Sequence, residues 1–192
     1  FYLEAKKMAN ESIGRLPPQN LDAERSVLGS ILIDSDAIVI VADILVPESF
    51  YQVAHQQIYA AMEILYEKRQ PIDVVTLNNQ VKKMKNLKSV GGTAALAELS
   101  NVVSTSANVK HYADLVAEAY VKRRMISLSG ELSQLAFDVG KDVTDIIDLA
   151  EQRVFALSQS QNKKAFQPIK DTLVESFERL DELQKNGGEL RG

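Results

Sequence analysis

The run VKRRMISLSGELSQLAFDV, residues 121–139, decides the fold class. Within it Val121, Met125, Leu128, Leu132, Leu135 and Val139 step by four and three alternately, which places them on one stripe of a helix. The segment DVGKD, residues 138–142, then reads as a turn, after which Val143, Ile147, Ala150, Val154 and Leu157 resume the same step. Two heptad-like stripes joined by a short loop predict an antiparallel helical hairpin. Its packing stripe is expected to be Val121, Met125, Leu128, Leu132, Leu135, Val143, Ile147, Val154 and Leu157.

The second helix carries a further apolar row of Ile146, Leu149 and Ala156, with Phe155 beside it. A helix that is apolar on two faces needs two partners. One is the other arm of the hairpin. The second row, Ile146, Leu149 and Phe155 together with Ile126 on the first helix, is expected to meet a second hairpin.

Toward the N-terminus the pattern shortens. Pro17-Pro18 is a stiff lead-in, and Asn20 is placed to cap a helix with Asp22 and Glu24 near its positive end. Val27, Leu28, Ile31 and Leu32 recur at helical spacing before Asp34-Ser35-Asp36 breaks the pattern, and a short apolar helix is expected over Ala37–Leu45. Pro47-Glu48-Ser49 predicts the start of another helix, with Val53, Ala54, Ile58, Ala61, Met62 and Leu65 on its core face. Pro71 ends it, Asp73 caps a fourth helix marked by Leu77, Val81 and Met84, and Thr93 is expected to cap a fifth after Gly91-Gly92.

Toward the C-terminus, the polar run Ser158–Lys164 reads as linker. Pro168 then suits the first position of a last helix with Ile169, Leu173, Phe177 and Leu180 along one side, closed by Asn186-Gly187-Gly188. The expected organisation is all-α. Residues 1–15 form a tag or disordered leader, with Met8 as a native start. Residues 16–106 make a compact head of short helices, 107–160 a helical hairpin, 161–167 a flexible linker and 168–192 a separate C-terminal helix.

Composition narrows the function. The 192 residues carry a net charge of −4, which argues against a domain that relies on phosphate contacts. There is no cysteine, so disulfides, thiolate metal sites and cysteine nucleophiles are excluded. No apolar run is long enough to cross a bilayer. A phosphate-cradling loop requires G-x-x-x-x-G-K-[ST]; around the only Gly-Lys pair, Gly140-Lys141, Leu135 stands at the first glycine position and Asp142 at the hydroxyl position.

The two histidines, His55 and His111, lack metal-ligand spacing and read as packing or capping residues. Asp142, Asp145, Asp148 and Glu151 read as a solvated face, with an acidic docking strip as the functional alternative. Lys82, Lys83, Lys85 and Lys88 read as a solvated helix end, and Lys122-Arg123-Arg124 as partners for acids on the facing helix or a second chain. No catalytic, cofactor or metal site is expected here.

Taken in order, several stretches resemble the N-terminal region of DnaB-type replicative DNA helicases. They are Pro17-Pro18 with Leu21–Gly29; Phe50-Tyr51 with His55, Ile58, Tyr59 and Ala61; Pro71–Leu77; Val90-Gly91-Gly92 with Leu96; Ala107-Asn108-Val109, Tyr112-Ala113 and Arg123-Arg124; and Phe166–Lys170. The order and spacing hold from about residue 16 to 190, with Ser49 departing from the acidic residue usual before Phe-Tyr.

The resemblance implies a non-catalytic collar of a hexameric, ATP-dependent helicase in the bacterial cytoplasm at the replication fork. Hairpins pair, and a trimer of such dimers receives primase, with a helicase loader as a further partner. The last helix, through Ile169, Leu173, Phe177 and Leu180, docks on a neighbour's ATPase domain. ATP, Mg and most DNA contacts belong to that domain, which is expected to follow Gly188. The rival reading is an auxiliary helical module that contacts single-stranded DNA or binds the loader.

Overall fold

The computed structural model describes residues 16–162. The expected leader 1–15, the linker from 163 on and the helix 168–192, with Ile169, Leu173, Phe177 and Leu180, lie outside the described residues. Those residues form seven α-helices, one 3-10 turn and no strand: α1 Leu21–Ile33, α2 Ala37–Ala42, the turn Pro47–Ser49, α3 Val53–Glu67, α4 Val74–Lys83, α5 Gly92–Leu99, α6 Val109–Ala136 and α7 Val143–Asn162. The chain divides into two compact units between Glu131 and Leu132, inside α6, where the sequence reading drew the boundary at residue 106.

In the first unit, local chemistry sets most helix starts. The Asn20 side chain accepts the Ala23 N–H at 3.0 Å and begins α1. Asp73 accepts from Val75 and Thr76 N–H, both at 2.8 Å, while the Thr76 hydroxyl accepts from Asp73 N–H: a reciprocal capping box. Thr93, expected as a cap, lies instead in the first turn of α5. Gly91 and Gly92 adopt φ of 87° and 77°, a left-handed pair that turns the chain directly into the helix and frees the Thr93 hydroxyl to donate to Asn78 Oδ1 on α4 at 2.8 Å.

Two expected helices are shorter. α2 stops at Ala42, and Pro47–Ser49 makes a single 3-10 turn rather than the start of α3. The backbone is extended at Phe50 and Gln52, and α3 begins only at Val53, which is exposed. The gain from this break is burial of Phe50, whose ring tilts against Tyr59 at 5.1 Å between centroids.

The core gathers Val27, Leu28 and Ile31 of α1, Ile38 and Val41 of α2, Ile58, Tyr59, Met62 and Leu65 of α3, Leu77 and Val81 of α4, and Leu96 and Leu99 of α5. The first turns of α6 belong to it as well, through Val109, Ala113 and Val116. The long helix is therefore rooted in the head.

The second unit, as described, comprises the end of α6, the turn at Asp138–Asp142 and α7. The turn is local: Asp138 Oδ1 accepts the Gly140 N–H at 3.1 Å and Lys141 pairs with Asp138 at 3.2 Å. α7 runs on to Asn162, through most of the stretch that the sequence marks as linker. No glycine or proline lies within Val143–Asn162, and glutamine extends a helix at little cost.

Candidate functional site

Two features of the described residues stand apart from ordinary core: a polar joint inside the head, and the apolar faces of the long helices.

The joint begins with Glu24. The sequence places it in the first turn of α1 as a complement to that helix's own dipole. The fold turns its side chain inward to 1% exposure and aims it at the start of α3. One carboxylate oxygen accepts the Tyr51 N–H at 2.6 Å; the other accepts the Gln52 N–H at 3.4 Å and bonds His55 Nδ1 at 2.7 Å. A buried carboxylate is sustained only by such partners. His55 is accordingly a packed, bonded residue, as its sequence context suggests.

Arg123, one turn beyond the last buried residue of α6, completes the joint. Its two terminal nitrogens donate to backbone carbonyls, Nη1 to Pro18 O at 2.8 Å and Nη2 to Ser49 O at 2.6 Å. Its guanidinium carbon lies 5.6 Å from the Tyr51 ring centroid and 5.7 Å from that of Tyr120. Burial pulls the guanidinium below its usual pKa, and the Glu24 carboxylate together with the two tyrosines opposes that shift. The expectation for residues 122–124 is pairing with acids on the facing helix or on a second chain; within this chain Lys122 pairs instead with Glu118 of its own helix at 2.6 Å, and Arg123 bonds the head. Glu24, Tyr51, His55 and Arg123 all lie in the stretches that carry the family resemblance, and the fold brings them to one place.

Around the joint the chemistry is sparse. Burial raises the Glu63 carboxyl above its ordinary pKa, with Glu67 and Glu48 adding to the rise and Tyr59 opposing it. Tyr59 is pushed up by burial first and by the neighbouring Glu63 second. A cavity of about 300 Å³ opens between α1, α3 and α5, lined by Arg25, Gln52, His55, Ile58 and Glu98 among others. Among the described residues no group of His, Cys, Asp or Glu is arranged to hold a metal ion, and no helix is long and apolar enough to cross a membrane. Lys82, Lys83, Lys85 and Lys88 at the end of α4 are exposed, as are Asp142, Asp145, Asp148 and Glu151.

The apolar faces divide differently from the two expected rows. Of the expected packing stripe, Val121, Leu128, Leu132, Leu135 and Leu157 are half-buried, while Met125, Val143, Ile147 and Val154 are exposed. Of the residues expected at a second hairpin, Ile146 and Leu149 are half-buried, while Ile126 and Phe155 are exposed. Val139, in the turn, is fully exposed.

Comparison with known proteins bears on these features. The family model described as DnaB-like helicase N-terminal domain matches residues 16–118. The replicative DNA helicase DnaC of Bacillus subtilis is 35% identical over 178 residues, which is 93% of this chain and 39% of that protein. DnaB of Geobacillus stearothermophilus gives the same identity and coverage. The chain thus spans about two-fifths of the length of these relatives.

Among solved structures, the N-terminal domain of DnaB helicase from Mycobacterium tuberculosis aligns with a TM-score of 0.70 at 36% identity, covering 73% of this chain and 99% of that one. A DnaB-like replicative helicase, solved in a study of its interactions with primase, aligns with a TM-score of 0.61 at 27% identity over 84% of this chain and 35% of that one. The all-helical head, its joint at Glu24 and Arg123 and the long helix rooted in it therefore have a family: the chain belongs to the DnaB-like helicase N-terminal domains.

Proposed function

We propose that this chain is a non-catalytic collar of a replicative helicase, which associates with copies of itself through its long helices and receives primase. The observation that carries the reading is the set of exposed apolar side chains on each of the long helices, α6 and α7, taken separately. Met125, Ile126, Val143, Ile147, Val154 and Phe155 are all exposed on two helices otherwise rich in polar residues. Rows of this kind mark protein interfaces, and a hairpin buries its outer face by pairing into a four-helix arrangement. Ile146 and Leu149, half-buried, neighbour the exposed residues of α7 in sequence and complete its contact.

Primase as a partner is supported by the helicase relative whose interactions with primase were studied structurally. In the parent protein ATP and Mg are held by a separate motor domain, on which the segment with Ile169, Leu173, Phe177 and Leu180 docks. The assembly acts on DNA mainly through that domain, in the bacterial cytoplasm, as a trimer of dimers. A helicase loader is a further candidate for the collar.

Light scattering of the chain, with and without primase, tests the reading. The chain should be dimeric or larger at micromolar concentration, bind primase saturably and hydrolyse ATP at background rate. A strict monomer that ignores primase would overturn it.

A further inference from the structure

The head grips α6 along one line: Val109, Ala113, Val116 and Ala119 are buried, and Arg123 follows on the next turn. From Arg124 to Glu131 no residue of α6 is buried. Arg123 thus lies one turn past the last buried residue of α6, and its hold on the head is polar. Its fork takes two carbonyls that lie 105 and 74 residues away in sequence, on the lead-in and on the 3-10 turn.

The contacts continue past the fork. Tyr51, whose ring lies under the guanidinium, gives its N–H to Glu24, and Glu24 also holds Gln52 N–H and His55 Nδ1 at the beginning of α3. The side chain of Gln56 closes the same turn by donating to Phe50 O at 2.8 Å. One continuous set of contacts therefore runs from α6 to the first turn of α3.

We propose that Arg123 is a latch coupling the long helix to the start of α3. The guanidinium's donors sit in one rigid plane, so a displacement of α6 at Arg123 disturbs both carbonyl contacts together. Half-buried at the edge of the head, it has a short path to water, which can take over its donors when the carbonyls are lost. When α6 shifts at Arg123, Pro18 O and Ser49 O are freed together and Tyr51 loses its cover, which loosens the amides that Glu24 holds. The latch stands on this geometry alone. That a partner exerts the pull on α6 rests on the function proposed above, and the test needs no partner.

Hydrogen exchange resolved by residue, on the whole chain, decides it. Arg123→Lys keeps the charge and removes the fork. Exchange at Tyr51, Gln52 and α6 residues 124–131 should rise at least ~10-fold more than at Leu28 and Leu77, which lie in the core of α1 and α4. The reciprocal variant Tyr51→Ala should speed exchange at residues 124–131 by the same excess, since coupling between two places acts both ways. It also decides the matter should Arg123→Lys fail to fold. A uniform rise at all these amides means general destabilisation and overturns the latch, as does a rise in α6 that leaves Tyr51 and Gln52 unchanged, or no rise at all.

Discussion

The carbonyl oxygen of Leu99 lies where a β-carbon on Gly29 would need room: a methyl added there would come within 2.5 Å of it. Val103 closes the same space at 3.4 Å. α1 and α5 approach this closely only because residue 29 has no side chain. Gly29→Ala should therefore destabilise the head, although alanine is the better helix former. The intrinsic preference is worth about 1 kcal/mol, against about 1–3 kcal/mol for overpacking onto backbone that cannot step aside. Urea denaturation should show a lower midpoint with an unchanged slope. Gly130→Ala is the control: nothing lies within 4 Å of the added methyl on α6, so that substitution should stabilise by about 0.5–1 kcal/mol.

Glu24 should be the most costly polar residue in the head to remove. Its carboxylate is 1% exposed and joins the Tyr51 and Gln52 N–H groups and His55 Nδ1, so Glu24→Ala strips all three of their shared partner. Breaking a buried, hydrogen-bonded charge of this kind costs about 3–5 kcal/mol. Glu24→Gln keeps the shape but turns one acceptor into a donor facing other donors, and should cost somewhat less. Chemical denaturation of both variants, with His55→Ala to close a double-mutant cycle, measures the coupling. A loss below about 1 kcal/mol for Glu24→Ala would mean that water entering beside Gln52 replaces the carboxylate.

What the sequence discloses and what it hides follow from distance along the chain. The caps at Asn20 and Asp73 are legible because each lies within three residues of the N–H it serves. Glu24 reads locally as a helix-start acid, and nothing near it announces a partner 27 residues on. Arg123 reads as a partner for acids on the facing helix or a second chain, because its carbonyls come from segments with no local signal of their own. The heptad step of α7 identifies residues that share a face. It does not decide which of two adjacent faces the chain covers itself. Ile146 and Ile147 are neighbours about 100° apart on the helix, so one is half-buried and the other exposed. The Gly91-Gly92 pair was legible as a turn, but the left-handed geometry that displaces Thr93 from the cap was not.

Glu63 gives a pH signature. Burial holds its folded-state pKa above the ordinary 4.5, so the ionised form is penalised in the folded chain. The sign follows: the stability linked to this group is fully present below the ordinary value and is lost as pH rises through the raised one. Glu63→Gln removes the titration. The variant should be more stable than the parent at pH 7, by a few tenths of a kcal/mol because the side chain is only half-buried and solvent screens its charge. The two melting curves should converge as pH falls below the ordinary value. A gap of unchanged size in acid would show that the amide gains a contact and that burial of charge is not the cause.

The interface proposal makes a sharper demand, because it separates two pairs of neighbouring residues. Ile147 and Phe155 are 53% and 63% exposed, so the isolated chain loses little when they change. Ile147→Asp with Phe155→Ser should weaken self-association at least ~10- to 100-fold, as expected when two apolar anchors worth about 1–2 kcal/mol each are removed. Helix content by circular dichroism should stay close to that of the parent. Ile146→Asp with Leu149→Asp places charge on residues the chain already half-covers, so it should lower the melting temperature as well as association. Light scattering and circular dichroism on the same samples distinguish the cases. If the first pair associates as strongly as the parent, the contact lies elsewhere on the helices; if it unfolds, the exposed row belongs to the fold of the single chain and self-association has lost its main support.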